Sequence, residues 1–151
     1  MKKTFLLGVL IVPLVAIGTH FSSWRTPQAD PGLHAGTFDP PREAPGFSLT
    51  GSNGKKVNVN DYRGKVVILE FGYTYCEDVC PITLARLTEA YKRLGNSSTD
   101  IQLIYVTVDP ARDNPERLRE HLTAFNPSFL GATGTPDELQ SVQKNYGIFA
   151  K

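Results

Sequence analysis

Residues 66–94 read VVILEFGYTYCEDVCPITLARLTEAYKRL, and their pattern predicts the central elements of the fold. Val66 to Phe71 is a nearly continuous apolar run, which is typical of a strand that is covered on both faces. Pro81 suits the first position of a helix and Gly95 suits its end. Between them apolar residues recur at three- and four-residue steps, as Leu84, Leu87, Tyr91 and Leu94. The stretch therefore predicts a strand, a cysteine-bearing loop and an amphipathic helix.

The alternation of strand and helix continues along the chain. Ile101 to Val108 is a second β-rich run, and the Asp-Asn-Pro segment at 113–115 predicts the start of a second helix. The Thr-Pro-Asp-Glu segment at 135–138 is a capping-box pattern and predicts a third helix, which ends at Gly147. A short hairpin is predicted over 47–59. Strands that alternate with helices imply an α/β fold with a parallel-centred sheet and right-handed crossovers.

The composition is that of one globular domain without a strong charge. The 151 residues are 40% hydrophobic and 21% charged, and they are too few for two domains of ordinary size. The 16 basic and 15 acidic residues leave a formal charge of +1, and no basic run interleaved with aromatic residues follows Lys3. This balance argues against nucleic acid as a partner.

The N-terminus carries an export signal. Lys2 and Lys3 precede an apolar run from Phe5 to Ile17, and no charged residue occurs from Thr4 to Trp24. That length matches the roughly 20 residues of a membrane-spanning helix. We therefore predict an uncleaved anchor in the bacterial inner membrane, with the rest of the chain facing the periplasm. The alternative is a signal that is cleaved near the small-x-small site at 16–18, which releases a periplasmic form.

Three segments are predicted along the chain. Residues 1–24 form the transmembrane anchor, and residues 25–44 form a proline-rich tether without apolar periodicity. Residues 45–151 form the folded domain.

The chain has 2 cysteines, Cys76 and Cys80, and both precede the predicted start of the first helix at Pro81. Ligands bind α/β sheets at such strand-to-helix junctions. A bridge that closes so short a loop constrains the unfolded chain little, so chemistry explains the pair better than stability. Because Pro81 disfavours helical geometry at Cys80, we expect both thiols on the loop. The two sulfurs can then converge on one ion or form one disulfide bond.

Together with the segment 108–113, which reads VDPARD, the cysteine loop resembles the SCO/SenC family, whose hallmarks are a CxxxCP loop and a VDPxRD segment. The resemblance runs from about Pro45 to Lys151. It implies a thioredoxin-like fold and a copper site formed by Cys76, Cys80 and one histidine farther along the chain. It also implies a role in building the binuclear copper centre of cytochrome c oxidase, whose copper-bearing subunit would be the partner.

The residue chemistry agrees with copper. Thiolates are soft ligands that suit Cu(I), and one imidazole completes a trigonal set that Cu(II) can share with an added oxygen ligand. In the family the ligand histidine follows the Tyr-Gly-Ile segment, here 146–148, in a stretch that would begin just past Lys151. We therefore expect the fold and the metal site to be incomplete at the C-terminus. The histidines present are His20, His34 and His121, and none is assigned to copper.

Several residues near the motifs carry separate expectations. Glu70 interrupts an apolar strand and is expected at a strand end or beside a base; if it is buried and unpaired, a raised pKa would influence the thiols. Asp78 and Asp113 are expected to be exposed, Asp78 shaping the loop and Asp113 capping a helix. Arg112 is expected to orient Asp113 or to face a partner. Tyr75 stands where the family often has histidine.

Three functions remain open from the sequence. The first is a copper chaperone that is not primarily a catalyst and that transfers copper by ligand exchange. The second is a membrane-anchored thiol-disulfide oxidoreductase that acts on the copper-site cysteines of the oxidase, in which Cys76 and Cys80 form a redox-active disulfide and one thiol has a lowered pKa. The third is an inactive, truncated copy.

Overall fold

The structure is a computed structural model, and it describes residues 36–150. The predicted anchor at 1–24 lies outside these residues, as do His20, His34 and most of the predicted tether. Within 36–150 no helix is both long and apolar enough to cross a membrane. Every helix and strand described below belongs to the compact unit that begins at Glu43.

Five strands form one mixed sheet in the order β2-β1-β5-β4-β3. The strands are β1 (Ser48–Gly51), β2 (Lys56–Asn58), β3 (Val66–Gly72), β4 (Ile101–Thr107) and β5 (Leu130–Thr133). Strand β4 pairs in parallel with both β3 and β5, while β1 pairs antiparallel with β2 and with β5. The predicted hairpin and the predicted parallel-centred sheet are thereby confirmed.

Helices α1 and α2 connect β3 to β4 and β4 to β5, α3 follows β5, and two short 3₁₀ helices, Val59–Tyr62 and Gly95–Asp100, precede β3 and β4. The α-helices are α1 (Val79–Leu94), α2 (Pro115–Thr123) and α3 (Pro136–Tyr146). The side chain of Asn114 caps α2, and Thr135 and Glu138 form the predicted capping box of α3. Gly147 ends α3 with a φ of 69°, a left-handed conformation that glycine adopts without strain.

Helix α1 starts earlier than the sequence suggested. It begins at Val79, so Pro81 is its third residue rather than its first. The first turn of a helix has N–H groups with no partner inside the helix, so a proline there removes no hydrogen bond. The expectation that both thiols lie on the loop is therefore wrong for Cys80, which belongs to the first turn of α1.

Two apolar clusters cover the two faces of the sheet. Because successive side chains of a strand point to opposite faces, the residues of β4 contribute alternately to the two clusters. Leu103 and Tyr105 face α1 and α2, and Ile104 and Val106 face the cluster that contains Leu139 of α3. All four β4 residues are fully buried. Strand β4 is therefore the centre of the core, and its C-terminal end reaches the cysteine loop.

Candidate metal and thiol site

The two cysteines lie on the segment that joins β3 to α1. Cys76 is on the loop and partly exposed, whereas Cys80 is in the first turn of α1 and only 6% exposed. Both are free thiols. The amide of Cys76 donates to the carbonyl of Tyr73 at 3.1 Å, and the amide of Cys80 points at the Sγ atom of Cys76 at 3.5 Å. The local backbone thus folds the loop over the helix start and directs an N–H group at the exposed sulfur.

The surroundings make the two thiols chemically different. A hydrogen bond with the Cys80 side chain lowers the pKa of Cys76, and the backbone amides of Asp78 and Cys80 lower it further. Burial raises the pKa of Cys80, and its hydrogen bond with Cys76 raises it further. Cys76 is consequently the thiol that loses its proton first and meets solvent, while Cys80 stays protonated behind it.

Asp113 fastens the loop to the sheet. Its carboxylate is fully buried and accepts hydrogen bonds from the amide of Thr74 at 2.9 Å, the hydroxyl of Thr74 at 2.6 Å and the hydroxyl of Thr107 at 2.7 Å. The expectation of an exposed helix cap is therefore wrong. The turn after β4, in which the amide of Asp113 donates to the carbonyl of Asp109 at 3.0 Å, directs the side chain inward. Asn114 caps α2 instead.

Aromatic and basic side chains meet at Tyr75, the residue that precedes Cys76. Arg112 forms an ion pair with Asp109 rather than orienting Asp113, so the first of its two expected roles is wrong. The guanidinium groups of Arg112 and Arg117 lie 4.8 Å and 5.3 Å from the ring centroid of Tyr75, which is 53% exposed. Asp78 is exposed, as expected, and its side chain makes no capping hydrogen bond.

Glu70 lies inside β3 rather than at its end. It is half-buried, it is opposite Tyr105 in the strand register, and among residues 36–150 no ion pair involves it. Burial raises the pKa of its carboxyl group. The expectations of a strand end and of a pairing with a base are therefore both wrong for the described residues. Within 36–150, Glu70 is instead an unpaired, partly buried carboxyl group.

His121 is a half-buried residue of α2 and faces the core. Its ring centroid lies 5.4 Å from that of Phe125 and 6.3 Å from that of Tyr105, and burial lowers its pKa. Across residues 36–150 there is no group of three or more His, Cys, Asp or Glu side chains that could hold a metal ion. The soft donors that the described structure brings together are the thiols of Cys76 and Cys80.

Sequence reasoning missed Tyr105 and Gly72. An ideal Cβ atom at Gly72 would lie 2.3 Å from the Oη atom of Tyr105 and 3.0 Å from the Sγ atom of Cys80, so the missing side chain leaves room for both. The available signals were a phenol in the otherwise aliphatic centre of β4 and a glycine at the end of β3. Neither signal shows that the two residues lie close together. Their proximity depends on the parallel register, in which Gly72 is opposite Thr107, two residues after Tyr105.

A free thiol pair at the β3 to α1 junction of a parallel-centred α/β sheet defines a thioredoxin-like dithiol protein. Comparison with known proteins identifies the family within this class. The chain belongs to the SCO1/SenC family, which matches residues 36–151, and the resemblance drawn from the two motifs is confirmed.

Two relatives illustrate the match. The chain is 38% identical over 104 residues to the protein SCO1 homolog 1, mitochondrial, of Arabidopsis thaliana, covering 68% of this chain and 31% of that protein. It is 41% identical over 104 residues to the protein SCO2, mitochondrial, of Saccharomyces cerevisiae, covering 68% of this chain and 35% of that protein. The chain therefore spans about a third of the length of these relatives.

Solved structures share the fold. Bradyrhizobium japonicum ScoI with copper bound superposes with a TM-score of 0.69 at 36% identity, covering 72% of this chain and 69% of that one. BsSco, a member of the Sco family of cytochrome c oxidase assembly proteins with a disulfide switch, gives 0.61 at 26% identity, covering 72% and 67%. The thioredoxin domain of a thiol-disulfide oxidoreductase from Bacteroides vulgatus gives 0.57 at 20% identity, covering 71% and 72%, and supports the thioredoxin-like fold alone.

Proposed function

We propose that this protein is a copper chaperone that holds copper on Cys76 and Cys80 and transfers it to the copper-bearing subunit of cytochrome c oxidase. The observation that carries the proposal is the free thiol pair, in which the amide of Cys80 points at the Sγ atom of Cys76 at 3.5 Å. Membership of a family with copper-bound structures and an oxidase assembly protein supports it.

The donor set fits the cargo. Two thiols are soft ligands that select Cu(I), with Cu(II) as a further form when harder ligands join. Metal binding requires deprotonated sulfur, so loading releases a proton from Cys80, whose pKa is raised by burial. Because Cys76 is the more exposed sulfur, ligand exchange with an acceptor begins there and ends at the buried Cys80.

A contact face for the acceptor surrounds Cys76. Tyr75, Val79 and Ile82 are large apolar residues with 53%, 64% and 48% exposure, and they lie within one loop and one helical turn of the thiol. Arg112 and Arg117 flank Tyr75. Exposed apolar side chains beside a reactive group favour docking of a protein surface rather than of a small molecule.

Binding of Cu(I) under competition with a bidentate chelator tests the site. Cys76→Ser and Cys80→Ser should each abolish stoichiometric binding, because one thiolate cannot compete with the chelator. Thr83→Ala is the matched control on α1, since the Thr83 hydroxyl donates only to the helix carbonyl of Val79. Wild-type affinity in both cysteine variants would refute the assignment.

The asymmetry of the thiols favours a second function, that of a thiol-disulfide oxidoreductase. The Cys76 thiolate would attack a partner disulfide, forming a mixed disulfide and releasing one partner thiolate. The Cys80 thiol, after losing its proton, would then displace the second partner thiolate, leaving an oxidised Cys76–Cys80 pair and a reduced partner. Cys80→Ser should trap the mixed disulfide and Cys76→Ser should not. Equal trapping by the two variants would rule out these roles.

The proposal places the folded domain in the periplasm, anchored to the bacterial inner membrane through residues 1–24. The apolar run after Lys2 and Lys3 supports it. Fractionation of a C-terminally tagged chain should leave the protein in the membrane after extraction with salt and with alkali. A soluble species that begins near residue 19 would instead establish the cleaved form.

A further inference from the structure

The Tyr105 hydroxyl is a buried polar group that the proposed copper chemistry does not use. Tyr105 lies in the middle of β4 and is 0% exposed. Among the residues that the structure describes, its Oη atom has no hydrogen-bond partner. A hydroxyl buried in this way is costly unless it finds an acceptor, so its surroundings determine what it does.

The space beside Gly72 brings this hydroxyl to the buried thiol. The same point, where a Cβ of Gly72 would lie, is 2.3 Å from the Oη atom of Tyr105 and 3.0 Å from the Sγ atom of Cys80. The oxygen and the sulfur are therefore no farther apart than the sum of those two distances. The oxygens of nearby Asp113 already accept from Thr74 and Thr107. Among the three atoms nearest that point, the Sγ atom of Cys80 is the acceptor available to the hydroxyl.

The hydroxyl remains a donor across the physiological pH range. Burial raises the pKa of Tyr105 far above its ordinary value, and the neighbouring Cys80 adds to the shift. In the other direction, the Tyr105 hydroxyl lowers the pKa of Cys80 against the larger effect of burial. A protonated phenol beside a sulfur can donate a hydrogen bond, and a thiolate accepts it more strongly than a neutral thiol does.

We propose that Tyr105 is a positioning residue whose hydroxyl donates a hydrogen bond to the Sγ atom of Cys80 and so holds and stabilises the buried sulfur of the dithiol. As far as copper is concerned, this inference rests on the proposed function of Cys80 as a ligand. Hydrogen bonds then run in series from Tyr105 to Cys80 and from Cys80 to Cys76. Such a series strengthens each of its members and distinguishes the buried sulfur from the exposed one.

The first test needs no metal. In a glutathione buffer, one glutathione disulfide oxidises the two thiols to the Cys76–Cys80 disulfide and becomes two glutathione thiols. Because a disulfide sulfur is the weaker acceptor, the hydrogen bond favours the reduced protein. Tyr105→Phe should therefore lower the equilibrium constant for reduction about fivefold, which corresponds to a midpoint potential about 20 mV more negative.

Tyr91→Phe is the matched control. Tyr91 belongs to the same apolar cluster, and its hydroxyl is also buried without a hydrogen-bond partner in the described structure, but it lies in the last turn of α1, three turns beyond Cys80. Urea unfolding of both variants measures the purely structural effect of losing a core hydroxyl. A potential that is unchanged in Tyr105→Phe, or shifted equally in both variants, would overturn the inference.

A spectroscopic measurement keeps the test independent of redox chemistry and of folding differences. In the Cys76→Ser background the S–H stretching band reports Cys80 alone. Adding Tyr105→Phe should move this band, and adding Tyr91→Phe should leave it in place; an unmoved band with Tyr105→Phe would refute the hydrogen bond. Cu(I) binding by the wild-type chain is measured separately, so a failure there would reject the proposed copper function without affecting the result for Tyr105.

Discussion

Asp113 accepts three hydrogen bonds in the interior, two from Thr74 and one from Thr107. Asp113→Asn should destabilise the protein by about 3 kcal/mol, because an amide N–H₂ group would face donors and leave at least one unpaired. Urea unfolding measures the loss. The faster alkylation of Cys80 that we also expect would show that the loop has loosened.

Asp100→Asn is the control for Asp113, since Asp100 is exposed at the end of a 3₁₀ helix. It should change the free energy of unfolding by less than about 0.5 kcal/mol. Equal unfolding midpoints for the two variants would contradict the anchoring role of Asp113.

Glu70 should make the stability of the protein depend on pH. Its pKa is raised from 4.5 by burial, so between 4.5 and the folded-state pKa the folded protein binds more protons than the unfolded chain. The contribution of Glu70 to stability is therefore fully present below pH 4.5 and is lost as the pH rises through the folded-state pKa. Glu70→Gln cannot ionise, so the contribution of this position to stability should not change with pH in the variant. The difference in free energy of unfolding between variant and wild type should therefore grow with pH over this range, and a constant difference would contradict the assignment.

Among the helices, α3 has the start that the sequence predicts most directly, because a capping box precedes it. The Thr135 hydroxyl accepts from the amide of Glu138 at 3.2 Å, and the Glu138 carboxylate accepts from the amide of Thr135 at 2.8 Å. Thr135→Ala should therefore cost about 1 kcal/mol in urea unfolding. Thr135→Ser keeps the hydroxyl and should retain most of the stability that Thr135→Ala loses. A serine variant as unstable as the alanine variant would show that the missing cap does not cause the loss.

The contrast between α3 and α1 shows what could be predicted from the sequence. Strands β3 and β4, the capping box and Gly147 follow from local patterns, because apolar runs and caps act over a few residues. The position of Cys80 in α1 did not follow, since a proline is compatible with any position in the first turn.

The candidate site was predictable only in part, for the same physical reason. The cysteine pair and its junction are visible in the sequence, whereas the burial of Asp113 and the approach of Tyr105 to Cys80 depend on contacts between residues far apart in the chain. From the sequence, a polar residue in a turn is predicted to be exposed, because the hydrogen-bond partners that would allow its burial are known only from the tertiary structure.

At the scale of the whole molecule, the two apolar clusters share one strand. Residues of β4 contribute to both clusters, and its backbone pairs with β3 and β5. We expect the amides of Leu103 to Thr107 to show the slowest hydrogen exchange, opening only with global unfolding. Native-state exchange followed by mass spectrometry or NMR checks this. Slower exchange in α3 than in β4 would contradict it.

The burial of β4 also sets where the protein tolerates change. Leu103, Ile104, Tyr105, Val106 and Thr107 are all 0% exposed, so a larger or smaller side chain at any of them disturbs packing on one face of the sheet or the other. In a library of single substitutions selected for folded protein, these five consecutive codons would form the most depleted block. The exposed side chains beside the thiols, Tyr75, Glu77 and Val79, are not held by such packing and can vary to suit a changing partner, while Thr74, Cys76 and Cys80 stay fixed.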